Sequence, residues 1–77
     1  MPEEERLREL LMDHLDLDER LLVRDLTFDE LAADSLTLLE LLTAIENTFH
    51  IDLEEEAFAS CTNVGALYDL VMAKIRS

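Results

Sequence analysis

The sequence has few of the residues that interrupt regular structure or cross-link a chain. Its 77 residues include one glycine, one proline, one cysteine and no tryptophan. A sheet with many tight turns is disfavoured, because glycine and proline form most such turns. Cys61 has no second cysteine to pair with, and no Cys and His spacing fits a zinc site, so no metal is expected. The core must come from packed aliphatic side chains, and we predict an all-α fold, a small helical bundle.

The length of the chain bounds its organisation. Seventy-seven residues are enough for one domain, which we predict to span 1–77. No apolar run is long enough to cross a bilayer, and the chain begins with acidic residues where a signal peptide would be basic. A lone cysteine is compatible with a reducing compartment. We therefore expect a cytoplasmic protein.

Positive charge is missing from the middle of the chain. Six Lys and Arg stand against nineteen Asp and Glu, which gives a net charge of −13. From Asp25 to Ala73, both included, there is no Lys or Arg, whereas eleven carboxylates fall in this span. Such a surface repels nucleic acid and anionic lipid, so neither is an expected partner. It attracts proteins with basic patches, although an acidic surface that serves only solubility is an alternative explanation.

Hydrophobic periodicity predicts four helices, the third of them short. Their predicted spans are 3–16, 35–50, 54–59 and a last helix capped by Thr62 or Asn63. Between the first two lies a long loop, Leu17 to Leu31, an unusual length for a small domain. Part of it, Leu21-Leu22-Val23, is compatible with a short helical turn. The apolar loop residues predicted to reach the core are Leu21, Leu22, Val23, Leu26, Phe28 and Leu31.

The start of the second helix carries the most informative pattern. Asp34, Ser35 and Thr37 are all residue types that cap helices, because a side-chain oxygen accepts a hydrogen bond from a first-turn N–H. Thr37 followed by Glu40 also fits a capping box, so the pattern leaves the first residue uncertain by one or two positions. A serine here lies at the positive end of the helix dipole, with little bulk around its hydroxyl. That position suits a phosphate-linked group.

The segments Asp34-Ser35-Leu36, Glu40-Leu41 and Ala44-Ile45-Glu46, followed by Phe49, resemble the phosphopantetheine attachment motif of acyl carrier proteins. The resemblance extends over nearly the whole chain. It implies a four-helix bundle of acyl-carrier type, with three main helices, one short helix and a long loop between the first two. It further implies that Ser35 carries 4′-phosphopantetheine, transferred from coenzyme A, whose thiol holds acyl groups as thioesters for fatty-acid or polyketide biosynthesis.

The resemblance also implies roles for the neighbours of Ser35. Asp34 is expected to cap the helix and to assist the phosphopantetheinyl transferase, and Leu36 to contact partners beside the arm. The residues expected to bind partners are Leu36, Glu40, Thr43 and Glu46, although a merely solvated face explains the two acids equally well. The expected partners are the transferase and acyl-transferring or ketosynthase-type enzymes with basic docking patches. We expect a monomer.

Several positions depart from the family pattern. Ala32 replaces a common glycine, Thr37 a common acid and Thr43 a common large apolar residue, which leaves open the enzymes that the protein serves. An aminoacyl or peptidyl carrier of a nonribosomal pathway is one alternative function. An unmodified acidic helical adaptor for a basic partner is another.

Nothing in the sequence indicates catalysis by the chain itself. No His neighbours Ser35 to activate its hydroxyl, and no acid–base pair stands out elsewhere. We therefore predict a carrier and a transferase substrate, with no catalytic residue. Cys61 is predicted to be a small buried apolar residue rather than a nucleophile. His14 and His50 are predicted to lie on the surface and Tyr68 to be partly buried.

Overall fold

The computed structural model describes residues 3–31 and 33–76. Their helices are α1 (Glu3–Leu15), α2 (Ser35–Phe49), α3 (Glu55–Ala59) and α4 (Val64–Arg76), with a 3₁₀ turn at Glu19–Leu21. Among these residues the only extended pairing is an isolated bridge between Thr27 and Asn63. None of the helices described is long and apolar enough to cross a membrane. The predicted all-α fold, with three main helices and a short third one, is confirmed.

Helices α1 and α2 each end one residue earlier than predicted. Asp16 (φ 53°) and His50 (φ 56°) adopt the left-handed conformation that commonly ends a helix. After α2, the N–H of Ile51 donates to the carbonyl of Glu46 at 3.3 Å, which satisfies a carbonyl of the last turn. Glycine usually occupies such a position because it has no Cβ. His50 therefore holds a conformation that costs it some free energy.

Thirteen buried apolar side chains among residues 3–31 and 33–76 form the core. They are Leu7 and Leu11 of α1, Leu41, Leu42 and Ile45 of α2, Phe58 of α3, Val64, Leu67, Tyr68 and Val71 of α4, and Leu22, Phe28 and Leu53 of the connecting segments. The prediction that the loop reaches the core holds for Leu22 and Phe28 but is wrong for Leu21 and Val23, which are 59% and 54% exposed. Leu21 ends the 3₁₀ turn and Leu22 and Val23 follow it, and of these three successive residues only Leu22 is buried.

The long loop is fastened to the start of α4. The carbonyls of Arg24 and Leu26 accept hydrogen bonds from the N–H groups of Gly65 and Val64, both at 2.9 Å. First-turn N–H groups have no partner within their own helix, so the loop supplies what the helix lacks. Gly65 permits this close approach, since a Cβ there would lie 3.1 Å from the Cβ of Arg24. The long loop thus has a structural role, because two of its carbonyls cap the first turn of α4.

Helix α1 begins beside the end of α2. A guanidinium nitrogen of Arg6 donates to the carbonyl of Thr48 at 3.4 Å, and the guanidinium lies 5.3 Å from the ring centre of Phe49. The last turn of α2 contains no basic residue. Arg6 therefore supplies the positive charge that favours the negative end of a helix dipole, together with a cation–π contact.

Candidate functional site

Ser35 is the first residue of α2, and its neighbour caps the helix. An Oδ1 atom of Asp34 accepts a hydrogen bond from the N–H of Thr37 at 2.8 Å. Of the three capping candidates in the sequence, the structure therefore selects Asp34. Ser35 is exposed, and its hydroxyl makes no hydrogen bond within the described part of the chain. Because Asp34 performs the capping, the Ser35 hydroxyl is accessible to an incoming group.

The Asp34 carboxylate places a negative charge next to Ser35. Hydrogen bonds from Thr37, first from its backbone N–H and then from its side chain, hold the pKa of Asp34 below its usual value. Hydrogen bonding to the charged form favours ionisation. Asp34 is consequently ionised at neutral pH, at the positive end of the α2 dipole.

A cavity of about 320 Å³ opens beside Ser35, between α2, α3 and the long loop. Its lining residues are Phe28, Asp29, Ser35, Leu38, Leu39, Leu42, Glu55, Phe58, Ala59, Cys61 and Thr62. Most of these are apolar, whereas Asp29 and Glu55 are exposed carboxylates. An apolar cavity with a few polar groups is the usual form of a small-molecule site. Which residues line this cavity could not be predicted from the sequence, because they come from separate segments of the chain.

Helix α2 presents three of the four predicted partner residues to solvent. Leu36 is 63% exposed, and Glu40 and Thr43 are exposed as well. Leu39 is 50% exposed, and its carbonyl accepts a hydrogen bond from the Thr43 hydroxyl at 3.0 Å. Positions three and four residues apart lie on one helix face, so Leu39 joins the other three there.

Glu46, the fourth predicted partner residue, is engaged within the protein. It is half-buried, and its Oε2 atom accepts a hydrogen bond from the N–H of Leu53 at 3.1 Å. Leu53 belongs to the core, so this bond secures the segment between α2 and α3. Contact between Glu46 and a partner stays a prediction, and a partner would have to compete with this bond.

Three other predicted positions have defined surroundings. Cys61 is half-buried rather than fully buried, and its thiol lies 3.5 Å from the carbonyl oxygen of Ala57, to which it donates. Burial raises the pKa of the thiol, so Cys61 is not a thiolate at neutral pH. His14 and His50 are exposed, as predicted. Ala32 lies outside the described residues.

The sequence matches one protein family over most of its length. Residues 5–71 match the family described as "Phosphopantetheine attachment site". An acyl carrier protein from Buchnera aphidicola subsp. Acyrthosiphon pisum (strain Tuc7) is 32% identical over 72 residues. That alignment covers 92% of this chain and 90% of the relative.

Solved structures of similar chains have the same helical arrangement. The solution structure of holo acyl carrier protein from Geobacter metallireducens superimposes with a TM-score of 0.81 at 28% identity, covering 99% of this chain and 88% of the other. The crystal structure of an acyl carrier protein from Thermotoga maritima gives 0.77 at 25% identity, with 94% and 85% covered. A chain in the structure described as "The ishigamide ketosynthase/chain length factor" gives 0.78 at 31% identity, with 97% and 96% covered.

The family match, the relatives and the fold agree with the motif around Ser35. The family match alone spans far more than half of the chain, and the Buchnera relative is aligned over nearly its full length. The chain belongs to the acyl carrier proteins, the phosphopantetheine attachment family whose members hold acyl groups on a covalently bound 4′-phosphopantetheine.

Proposed function

We propose that Ser35 is the attachment residue and that the chain is a carrier rather than an enzyme. The observation that carries this proposal is the exposed Ser35 hydroxyl at the first position of α2, with capping performed by Asp34. The serine oxygen attacks the phosphorus of coenzyme A that bears the pantetheine. A new P–O bond forms to Ser35, the pyrophosphate bond breaks, and 3′,5′-ADP leaves. A serine hydroxyl is a weak nucleophile, so a separate transferase must supply the base and the metal ion.

The residues around Ser35 fit a phosphodiester. A phosphate linked to the serine oxygen would lie at the N-terminus of α2, where backbone N–H groups and the helix dipole favour an anion. Asp34 is ionised beside it, and we propose that its carboxylate assists the transferase through a metal ion or a basic side chain. When bound, the arm supplies a terminal thiol for thioester formation. Leu36, the next residue, leaves an exposed apolar contact beside the arm.

We propose that partner enzymes dock on the exposed face of α2, defined by Leu36, Leu39, Glu40 and Thr43, with Glu46 at its border. Residues 26–63 include nine carboxylates and no Lys or Arg, which favours encounter with a basic patch. Leu36 and Leu39 provide apolar contact in the same face. The similar chain in the ketosynthase/chain length factor structure supports ketosynthase-type enzymes as partners. Fatty-acid or polyketide-type biosynthesis is the corresponding pathway class.

We propose that the cavity beside Ser35 shelters part of the acyl chain. Its lining is largely apolar, which favours an alkyl or alkenyl cargo over an aminoacyl one. We further propose that residues 1–77 act as a single acyl-carrier domain, as a cytoplasmic monomer without nucleic-acid or membrane partners. The acidic surface supports this proposal, because it opposes close approach of polyanions and of further copies of the chain.

Intact-protein mass spectrometry tests the attachment residue. The unmodified protein is incubated with coenzyme A, magnesium and a broad-specificity phosphopantetheinyl transferase. We expect one added phosphopantetheine on the wild type and none on Ser35→Ala. Ser60→Ala is the matched control, since Ser60 is also an exposed serine at a helix end. An unmodified, folded wild type after incubation would overturn the proposal and favour the acidic adaptor.

A further inference from the structure

The loop before Ser35 contains a pair of reciprocal hydrogen bonds. The backbone N–H of Thr27 donates to Oε2 of Glu30 at 3.2 Å, and the N–H of Glu30 donates to Oγ1 of Thr27 at 3.1 Å. This Thr-x-x-Glu arrangement is the one that caps many helices. Here the chain makes only a turn at residues 28–31 and no helix follows it directly. We call this pair of bonds the Thr27–Glu30 clamp.

The clamp encloses two residues that line the cavity beside Ser35. Phe28 is only 8% exposed, belongs to the core and forms part of the cavity wall, while Asp29 lines the cavity from the same turn. The N–H of Phe28 also donates to the carbonyl of Thr62 at 3.1 Å. Thr62, which follows α3, lines the cavity too. The conformation of the clamped turn therefore determines where the loop side of the cavity lies.

The side chains that form the clamp have no other evident part in the fold. Glu30 is exposed and Thr27 is half-buried, and neither belongs to the core or lines the cavity. Hydrogen bonds between exposed groups contribute little to global stability, because water replaces them at small cost. Their effect is local: they reduce the number of backbone conformations open to the turn that carries Phe28.

We propose that Thr27 and Glu30 are positioning residues that fix Phe28 as a cavity wall and thereby set the length of acyl chain that the cavity holds. This inference rests on the proposed function, namely an acyl arm on Ser35 and an apolar cavity that shelters its cargo. Without the clamp, the turn has more conformations in which the Phe28 ring leaves the wall or intrudes into the cavity. Long chains, which need the full cavity, lose shelter, whereas an acetyl group is too short to need it.

The test compares acyl chains of different length on the same protein. Ser35 is loaded with acetyl-, hexanoyl- or decanoyl-phosphopantetheine from the corresponding acyl-coenzyme A by the transferase. Hydroxylamine then cleaves each thioester, and mass spectrometry follows the loss of the acyl group. The readout is the protection ratio, defined as the cleavage rate of the acetyl form divided by that of the decanoyl form. A general loss of stability does not by itself produce a dependence on chain length.

For Glu30→Ala we expect the protection ratio to fall roughly two- to tenfold, the effect of losing about one hydrogen bond. Glu30→Gln should retain the wild-type ratio, because its amide oxygen still accepts from the Thr27 N–H. Asp25→Ala is the control for charge, since Asp25 is another exposed acid of the same loop. Thr27→Val removes Oγ1 while keeping the side-chain shape, and it should lower the protection ratio as Glu30→Ala does. It serves as the test variant if Glu30→Ala folds poorly.

Two results would overturn the proposal that the Thr27–Glu30 clamp positions Phe28. One is an unchanged protection ratio in both Glu30→Ala and Thr27→Val. The other is an equal loss in Glu30→Gln and Asp25→Ala, which would assign the effect to charge. Absence of any acyl-phosphopantetheine on Ser35 would instead overturn the proposed function, and it is seen by mass before hydroxylamine is added. The two failures are therefore distinguishable.

Discussion

Replacing Tyr68 by Phe, which removes only the hydroxyl group of this core side chain, is expected to stabilise the protein. Tyr68 lies in α4 and is 8% exposed, and its hydroxyl oxygen is buried without a hydrogen-bond partner among the described residues. Burial raises the pKa of its phenol, with Glu4 raising it further and Arg8 opposing the shift. The hydroxyl is therefore neutral at physiological pH, and it has lost its hydration without gaining a partner.

The magnitude follows from the cost of burying an unsatisfied hydroxyl. That cost is about 1–3 kcal/mol, and Phe removes it while keeping the aromatic ring in the core. Relaxation around the hydroxyl lowers the net gain, so we expect an increase of about 1 kcal/mol in the free energy of unfolding. For a domain of this size, such a change corresponds to a rise of roughly 4–8 °C in Tm.

Urea unfolding followed by circular dichroism at 222 nm measures the difference, with thermal melts as a second measure. Tyr68→Ala is the reference for loss of the ring and should cost about 3–5 kcal/mol, as other large-to-small core changes do. The reasoning would be refuted if the free energy of unfolding of Tyr68→Phe were lower than that of the wild type by about 1 kcal/mol or more. Such a decrease would mean that the Tyr68 hydroxyl makes a favourable hydrogen bond in solution.

Two further predictions concern the ends of α2. His50→Gly should raise the free energy of unfolding by about 0.5–1 kcal/mol, since glycine adopts the left-handed conformation of this residue without the Cβ penalty. Asn47→Gly, inside the helix, is the control and should lower the free energy of unfolding. An equal decrease for both variants in urea unfolding would contradict the prediction. The folded pKa of Asp34 lies below its usual value of 3.8, so its contribution to stability is present above that pH and is lost as the pH falls through the folded value. The free energy of unfolding of Asp34→Asn, measured in urea, should therefore change less than that of the wild type as the pH is lowered from 5. Parallel plots of the free energy of unfolding against pH for the two proteins would show that the hydrogen bonds from Thr37 do not lower the pKa of Asp34.

The helices and the position of Ser35 in the fold were largely predictable because their signals are local. The stripe of Leu7 and Leu11 in α1 and that of Val64, Leu67 and Val71 in α4 meet the core as their spacing indicates. The position of Ser35 at the start of α2 also followed from the residues around it. The sequence did not indicate which of the three candidate side chains caps the helix, because all three are chemically suited. The backbone conformation of Asp34 decides between them.

The features that were predicted wrongly, or not predicted at all, share a physical cause. Leu39 belongs to the apolar stripe of α2, yet that stripe is wider than the neighbouring elements cover, and Leu39 remains half exposed. Leu21 ends the 3₁₀ turn at Glu19–Leu21 and Val23 lies just after it; both are exposed, and the sequence indicated a turn in this segment only as an alternative. The bond from the Leu53 N–H to Glu46 was not predicted, because it depends on how the chain turns after α2; contact between Glu46 and a partner stays a prediction. In each case the outcome depends on tertiary neighbours, which periodicity does not specify.

The fastening of the loop to α4 has a consequence for the order of folding. Arg24 and Gly65 are 41 positions apart in the chain, and the first-turn N–H of Gly65 donates to the carbonyl of Arg24. Helices normally form early because their contacts are local, whereas contacts between distant residues require closure of a long loop first. The body of α4 is free to form by itself, but its first turn gains its partners only after the segment that precedes Ser35 has taken its place. We therefore expect the first turn of α4 to be completed late in folding, after the body of the same helix has formed.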